Sequence, residues 1–104
     1  MIYELITVDV LPEKLKGGYD VWLRESLPVW KKYGIKHIGS WETMIGKSNE
    51  VVRLFGYEDL AHFERWRKVI NEDEDVAKTH RAAWPYLAHV ERKILTPLKG
   101  AAIF

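Results

Sequence analysis

The chain has 104 residues, and its 16 basic and 15 acidic side chains give a formal net charge of +1, which provides no general attraction for nucleic acid or for an anionic membrane. It contains no cysteine, and this excludes disulfides, thiolate metal sites and cysteine nucleophiles. Its five tryptophans and five tyrosines exceed what a core of this size needs, and surplus aromatic residues often line interfaces or cavities.

No linker divides the sequence, so we expect residues 1–104 to form a single domain. The N-terminal stretch MIYELITVDV lacks the basic start and the long apolar run of a signal peptide. No other stretch approaches the length that a membrane-spanning helix needs. We therefore expect a cytoplasmic protein that binds neither nucleic acid nor membrane.

The first half of the chain predicts a strand followed by a helix. β-Branched residues dominate Ile2–Val10, and Leu11-Pro12 ends this strand. Apolar residues then recur at three- and four-residue steps, the spacing of one helix face; they are Leu15, Tyr19, Trp22, Leu23, Leu27, Trp30 and Tyr33. Pro28 should bend this long helix, and Gly34 should follow its end.

A β-hairpin is predicted over residues 41–57. Its first arm includes Met44 and Ile45, and its turn runs from Gly46 to Asn49, two residue types that tolerate a left-handed backbone. The second arm carries apolar residues at both parities: one set is Val52, Leu54 and Gly56, and the other is Val51, Arg53, Phe55 and Tyr57. A strand that is apolar on both faces requires a cover on each.

The second half predicts two helical segments and a last strand. Glu58-Asp59 can cap a helix that begins at Leu60. The acidic stretch 71–75 breaks that helix and suits the positive end of a further short helix, which should extend through Trp84 and end at Pro85. Alternating residues over Leu87–Leu95 then predict a strand.

This order of elements is typical of an α+β, ferredoxin-like βαββαβ fold, in which a four-stranded antiparallel sheet carries its helices on one face. We assign Val52, Leu54, Gly56 and Tyr3 to the face under the helices. The opposite face would then carry Glu4, Ile6 and Val8 together with the Arg53 set. Because a bare apolar sheet face is rare on a soluble monomer, we expect a homodimer that buries this face.

Four segments of the chain look familiar: the opening IYEL, the Leu27-Pro28 pair, the run GSWETMIGKSNEVVRLFGYEDL over residues 39–60 and the ending ERKILTPL over residues 91–98. They resemble the NIPSNAP family over nearly the whole chain. The resemblance implies the dimeric α/β barrel, in which two ferredoxin-like sheets pack face to face. It brings no agreed set of catalytic residues.

The face assigned to the barrel interior suggests a small cavity for a hydrophobic or flat aromatic ligand. The candidate substrate-binding residues are Glu4, Trp41, Thr43, Arg53, Phe55 and Tyr57. Packing in the core and the interface is the alternative for the aromatic members. Glu4 and Arg53 are expected to face each other near Tyr57, either as groups that orient a ligand or as a structural ion pair.

No cofactor or metal is predicted. The four histidines are His37, His62, His80 and His89, and they have no paired ligand spacing. His80 shares a helix face with Trp84, and some haem-degrading relatives in the wider superfamily place an axial histidine on a helix over the sheet. A packed or solvated histidine is the simpler interpretation.

Two classes of function stay open. The first is a homodimeric protein that binds a small molecule, with a possible enzymatic form: a cofactor-independent monooxygenase-like or isomerase-like enzyme in which Glu4, Arg53 and Tyr57 position an enolisable substrate. The second is a non-catalytic scaffold, because eukaryotic NIPSNAP proteins are associated with protein partners. The fold alone cannot choose between them.

Overall fold

The computed structural model describes residues 1–101. Strands β1 (Ile2–Val10), β2 (Lys36–Glu42), β3 (Glu50–Tyr57) and β4 (Leu87–Leu95) form one antiparallel sheet in the order β2-β3-β1-β4. Helices α1 (Asp20–Lys32), α2 (Leu60–Glu72) and α3 (Glu74–Arg81) pack on one face of that sheet. This arrangement confirms the ferredoxin-like βαββαβ fold, with α2 and α3 together forming the second helical segment.

Several boundaries follow from local chemistry and agree with the sequence prediction. The Asp59 carboxylate accepts a hydrogen bond from the His62 backbone N–H at 2.8 Å and so caps α2. Asp73 does the same for α3 through the N–H groups of Asp75 and Val76. Gly34, just after α1, has a φ of +75°, which a residue without a Cβ adopts readily.

Other boundaries differ from the prediction. Leu15–Tyr19 is a wide turn in which Gly17 has a φ of +84°, so α1 itself begins only at Asp20. α3 ends at Arg81, and Trp84–Tyr86 forms a separate 3-10 turn.

The first arm of the hairpin lies earlier in the chain than predicted, over Lys36–Glu42. β2 ends at Glu42, which pairs with Val51, and the Thr43 N–H then donates to the Glu50 carbonyl at 2.9 Å. Met44 and Ile45 therefore lie in the connecting loop, where they are 94% and 89% exposed.

The predicted assignment of the two sheet faces is wrong. Glu4, Ile6 and Val8 of β1 do share a face with the Arg53 set of β3, but this face is buried under the helices. The reason is size: the large rings of Phe55 and Tyr57 fill the space between sheet and helices. The smaller side chains of Val52 and Leu54 point to the other face.

Stacked aromatic rings form the centre of the core. The indole of Trp30, from α1, stacks on Phe55 of β3 with ring centroids 4.0 Å apart, and Trp66 of α2 meets Trp30 at 4.7 Å. At the C-terminal end of β3, two residues after Phe55, Tyr57 contacts Phe63 of α2 edge-on at 5.2 Å. Each such pair adds about 0.5–1.5 kcal/mol to the stabilisation from buried area.

The second sheet face, which we call the open face, carries no helix. Its middle is lined by residues of the three adjacent strands β2, β3 and β1: Trp41, Val52, Leu54, Tyr3, Leu5 and Thr7. Tyr3 thus lies on the open face beside Gly56, and not under a helix as predicted. The polar side chains of His89, Glu91 and Lys93 flank this area on β4. Within residues 1–101, no helix is long and apolar enough to cross a membrane.

Truncation of the central ring should measure how much the helix layer depends on it. Trp30→Ala should lower the free energy of unfolding by about 3–5 kcal/mol, because it leaves a cavity against Phe55 and Trp66. Urea denaturation followed by circular dichroism measures this. Trp84→Ala is the matched control, since Trp84 is 64% exposed, and it should change stability by about 0.5 kcal/mol or less. Equal losses in the two variants would contradict the proposed role of the stack.

Candidate functional site

Arg53 is a charged side chain in the middle of the core. It belongs to the central part of β3 and is only 4% exposed. Its guanidinium lies 4.9 Å from the ring centroid of Phe55, and 5.4 and 5.5 Å from those of Trp22 and Trp30. Two elements therefore hold it: its own strand and the buried face of α1.

The guanidinium has unused hydrogen-bonding capacity. Within residues 1–101, its Nε and Nη2 atoms are buried and have no hydrogen-bond partner. Cation–π contacts of this kind contribute about 0.5–2 kcal/mol, whereas a buried charged group without partners costs several kcal/mol. The N–H groups on Nε and Nη2 form one edge of the planar fork, and such an edge binds a carboxylate through two parallel hydrogen bonds.

Tyr19 lies beside this fork. Its side chain is buried, and its hydroxyl lies near enough to the Arg53 guanidinium for a weak interaction with it, but forms no hydrogen bond of good geometry with any described residue. Burial raises the pKa of Tyr19, and the charge of Arg53 opposes that rise. Burial also lowers the pKa of Arg53, against the influence of Tyr19 and Glu4. We call the side chains of Tyr19, Trp22, Trp30, Arg53 and Phe55 the Arg53 pocket.

A cleft of about 260 Å³ borders the Arg53 pocket between α1 and β2. Tyr19 lines this cleft, and so does Ser40, the residue of β2 that pairs directly with Arg53. The Ser40 hydroxyl lies 2.8 Å from Nε2 of His37. Burial and the charge of Arg53 lower the pKa of His37. Through Tyr19 and Ser40 the cleft adjoins the Arg53 pocket, and it is the opening through which we expect a ligand to approach the guanidinium.

Glu4 and Tyr57 form a second polar position on the same sheet face. The Tyr57 hydroxyl donates to Oε1 of Glu4 at 2.8 Å, and Nε of Arg92 lies 4.0 Å from Oε2. Burial, followed by the negative charge of Glu4, raises the pKa of Tyr57. Tyr57 is therefore a hydrogen-bond donor that keeps its proton, and Glu4 is the group in this pair that can accept one.

The expected ion pair between Glu4 and Arg53 is not formed. In the register of β1 and β3, Glu4 lies opposite Phe55 and Arg53 lies opposite Ile6. The two charges are thus diagonal neighbours, and no ion pair joins them among residues 1–101. Tyr57 and Arg92 take the place that the prediction gave to Arg53.

Two of the six candidate residues lie outside the Arg53 pocket. Trp41 is on the open face, 53% exposed, with its ring over Gly39, where an added Cβ would come within 2.4 Å of the indole. It also lines the edge of the cleft that borders the Arg53 pocket. Thr43 is in the loop after β2, where its hydroxyl donates to Glu50 at 2.8 Å. Glu4, Arg53, Phe55 and Tyr57 do lie together under the helices. That these four bind a substrate stays a prediction.

Tyr19, Trp22 and Trp30 belong to the pocket although they were not among the candidates. Their helical spacing placed them on one face of the first helix, but the sheet face that they would meet could not be read from the pattern. Arg92 was missed as well, although it shares the parity of Val90 and Ile94, and the alternation of β4 therefore placed it on the same sheet face as these apolar residues.

The NIPSNAP family model matches residues 3–101. The chain belongs to the NIPSNAP family. No curated protein sequence matches it. Solved structures with the same fold include an uncharacterized NIPSNAP domain protein from Burkholderia xenovorans, 24% identical, with a TM-score of 0.85 over 98% of this chain and 99% of that chain.

Two further structures extend the comparison. A NIPSNAP family protein from Agrobacterium tumefaciens is 21% identical, with a TM-score of 0.86 over 99% of this chain and 98% of that chain. A putative antibiotic biosynthesis monooxygenase from Nitrosomonas europaea is 10% identical, with a TM-score of 0.72 over 94% of this chain and 99% of that chain. At such identities the likeness concerns the fold alone.

His80, the histidine considered for haem, lies against the aromatic core of this NIPSNAP protein. Its ring centroid is 6.1 Å from that of Trp30 and 6.4 Å from that of Trp66. Burial, with smaller effects of Arg92, Arg53 and Arg67, lowers its pKa to about 4. Among the residues described, no group of three or more histidine, aspartate or glutamate side chains could hold a metal ion.

His80 should make stability depend on pH. Its pKa is about 4 in the folded protein against 6.5 for an unperturbed histidine, so between these values the unfolded chain binds more protons. The stability that neutral His80 provides is present above pH 6.5 and is lost as the pH falls through this window. His80→Leu should reduce the loss of stability between about pH 7 and about pH 4.5, measured by urea denaturation. His89→Leu, on the exposed edge strand, is the control, and an unchanged loss in His80→Leu would contradict the assignment.

Proposed function

We propose that this NIPSNAP protein binds a small aromatic or hydrophobic molecule that carries a carboxylate, and that the carboxylate lies on Arg53. The observation that carries the proposal is the buried edge of the guanidinium, whose Nε and Nη2 have no hydrogen-bond partner in the described part of the chain. A planar, two-oxygen anion is the chemical complement of that edge.

The surroundings of the fork support an aromatic ligand. The rings of Trp22, Trp30 and Phe55 enclose the guanidinium at 4.9 to 5.5 Å, and flat aromatic walls suit a flat molecule. Charge-assisted hydrogen bonds are also stronger in such a water-poor environment than in water. The ligand would reach Arg53 by displacing the Tyr19 side chain from the cleft between α1 and β2.

If the protein is also an enzyme, the Glu4–Tyr57 pair supplies its proton acceptor. Glu4, held by the Tyr57 hydroxyl at 2.8 Å, would take the proton next to the substrate carbonyl, and Arg53 would hold the anionic end of the substrate. The enolate that forms could return the proton to another carbon, as in an isomerase, or react directly with dioxygen. The fold that this chain shares with a putative antibiotic biosynthesis monooxygenase supports the second outcome by analogy only.

Phenylpyruvate is a suitable probe, because it combines an aromatic ring, a carboxylate and an enolisable carbon. It should bind the wild-type protein and change the fluorescence of Trp22 and Trp30. Arg53→Met should weaken binding by about tenfold to a hundredfold, the loss expected for charge-assisted hydrogen bonds. Its free energy of unfolding should be unchanged or higher, because the substitution removes an unpaired buried charge.

Arg65→Met, on the exposed side of α2, is the matched control for that experiment and should bind like the wild type. Glu4→Gln then separates binding from catalysis. If the protein accelerates hydrogen–deuterium exchange of phenylpyruvate, measured by NMR, Glu4→Gln should abolish the acceleration and keep the binding. Equal binding by Arg53→Met and the wild type would refute the Arg53 pocket as the site.

We also propose that the protein is a homodimer that buries the open face. The support is the composition of that face: Leu5, Val52, Leu54 and Trp41 form a half-exposed apolar strip across three adjacent strands, and large exposed apolar patches usually mark an interface. The interface is thus proposed on the sheet face opposite to the one that the sequence pattern suggested. Phe55 belongs to the core of each protomer.

Leu54→Asp tests this interface. Sedimentation velocity at micromolar concentration should show a dimer for the wild type and a monomer for Leu54→Asp, because the carboxylate would be buried without a partner. The variant should stay folded, since Leu54 lies on the open face. Leu60→Asp, at an exposed leucine of α2, should remain a dimer. A monomeric wild type would refute the homodimer and would favour the alternative of a scaffold that binds another protein through this face.

A further inference from the structure

Strand β2 contains a β-bulge that places two polar side chains beside the Arg53 pocket. The pairing of β2 with β3 shifts by one residue between His37 and Gly39, so Ile38 is an extra residue in the ladder. In a regular strand, residues three apart point to opposite faces of the sheet. Because of the extra residue, His37 and Ser40 both face the helices.

The contacts of these two side chains agree with that orientation. The His37 ring lies 5.3 Å from the ring of Phe55, a core residue, and Ser40 lines the same cleft as Tyr19. The Ser40 hydroxyl is 2.8 Å from Nε2 of His37. β-Bulges are frequent next to functional sites, where they change the direction of a side chain. The bulge of β2 therefore forms a polar pair at the border of the Arg53 pocket.

Ser40 is a polar neighbour of Arg53 in the sheet. Arg53 pairs with Ser40 of β2 on one side and with Ile6 of β1 on the other. Residues that pair directly across antiparallel strands have Cα atoms about 4.5–5.5 Å apart. Of these two neighbours, only Ser40 can form a hydrogen bond through its side chain, and it lies on the side of the cleft.

The Ser40–His37 pair can offer a hydrogen-bond donor to a ligand. Burial, followed by the charge of Arg53, lowers the pKa of His37, so its ring is neutral at neutral pH and carries one N–H. When this proton is on Nε2, it donates to the Ser40 oxygen, and the serine hydroxyl is free to donate to a further acceptor. A carbonyl oxygen of a bound ligand is such an acceptor.

We propose that the ligand of the Arg53 pocket is a 2-oxo acid, with its carboxylate on Arg53 and its 2-oxo oxygen on the hydroxyl of Ser40. In such an acid the oxo group is on the carbon next to the carboxylate, so both groups lie at one end of the molecule, as Arg53 and Ser40 lie side by side in the sheet. His37 is a positioning residue, which restricts the direction of the Ser40 hydroxyl. The proposal rests on the function proposed above, because it requires the carboxylate on Arg53.

Phenylpyruvate and 3-phenylpropionate differ only in the 2-oxo group, and isothermal titration calorimetry with each acid measures what that group contributes. The wild type should bind phenylpyruvate about three- to tenfold more tightly, the ratio expected for one hydrogen bond between neutral groups. Ser40→Ala should bind the two acids equally and keep the wild-type affinity for 3-phenylpropionate, which shows that the variant is folded. Ser48→Ala, at an exposed serine in the loop after β2, is the matched control and should keep the wild-type ratio.

Two variants of His37 test its positioning role. His37→Leu should lower the ratio of the two affinities at least about twofold, because the serine hydroxyl loses the partner that restricts its direction. His37→Gln should keep the wild-type ratio, since the side-chain amide of glutamine can take the place of Nε2. An equal loss in both variants would contradict the positioning role of His37.

The results that would overturn the 2-oxo acid differ from those that would overturn the proposed function. Equal affinities of the wild type for the two acids, with weaker binding of both by Arg53→Met, would overturn the 2-oxo acid and leave the carboxylate on Arg53. A wild-type ratio that persists in Ser40→Ala would overturn the assignment of Ser40. If Arg53→Met binds 3-phenylpropionate as tightly as the wild type does, the proposed function fails, and the role of Ser40 fails with it.

Discussion

The positive charge of Arg53 in the core is the constraint that the packing of the helix layer has to accommodate. A guanidinium at this depth must be enclosed, and the rings of Trp22, Trp30 and Phe55 enclose it. Two of these rings belong to α1, so the position of that helix over the sheet is coupled to the charge. Trp30 of α1 also stacks on Phe55 and contacts Trp66 of α2. The position of α2 therefore depends on the position of α1.

The two polar positions of the core, Glu4 and Arg53, differ in whether their polar atoms have hydrogen-bond partners. Glu4 has the Tyr57 hydroxyl on one oxygen and Arg92 near the other, so it resembles a completed structural interaction. Arg53 has rings on its faces and no partner on its edge. A functional interpretation therefore applies better to Arg53, because its edge is charged and still lacks a hydrogen-bond acceptor among the described residues.

The two surfaces to which we assign functions have different chemistry. The Arg53 pocket is aromatic and buried, and the open face is an apolar strip flanked by polar side chains of β4. They lie on opposite sides of the sheet, so dimerisation through the open face would not cover the Arg53 pocket.

The sequence by itself determined the elements that depend on local physics. The β-branched residues of β1, the alternation in β4, the capping carboxylate of Asp59 and the left-handed Gly34 each act within a few residues. The resemblance to NIPSNAP follows the same local motifs. The tertiary structure decided which side of the sheet the helices cover. In β3 both parities are apolar, so periodicity permits two solutions, and only the fit of Phe55 against Trp30 selects one.

Four of the six candidate residues lie on the same sheet face, as predicted, although that face is the one under the helices and not the one expected in the dimer. They are Glu4, Arg53, Phe55 and Tyr57. Trp41 pairs with Val52 and therefore lies on the open face. Thr43 follows the last paired residue of β2, Glu42, and therefore lies in the loop. The partners of Arg53 on α1 could not be deduced from spacing, because contacts between a helix and a distant strand depend on how the two surfaces pack and not on either pattern alone.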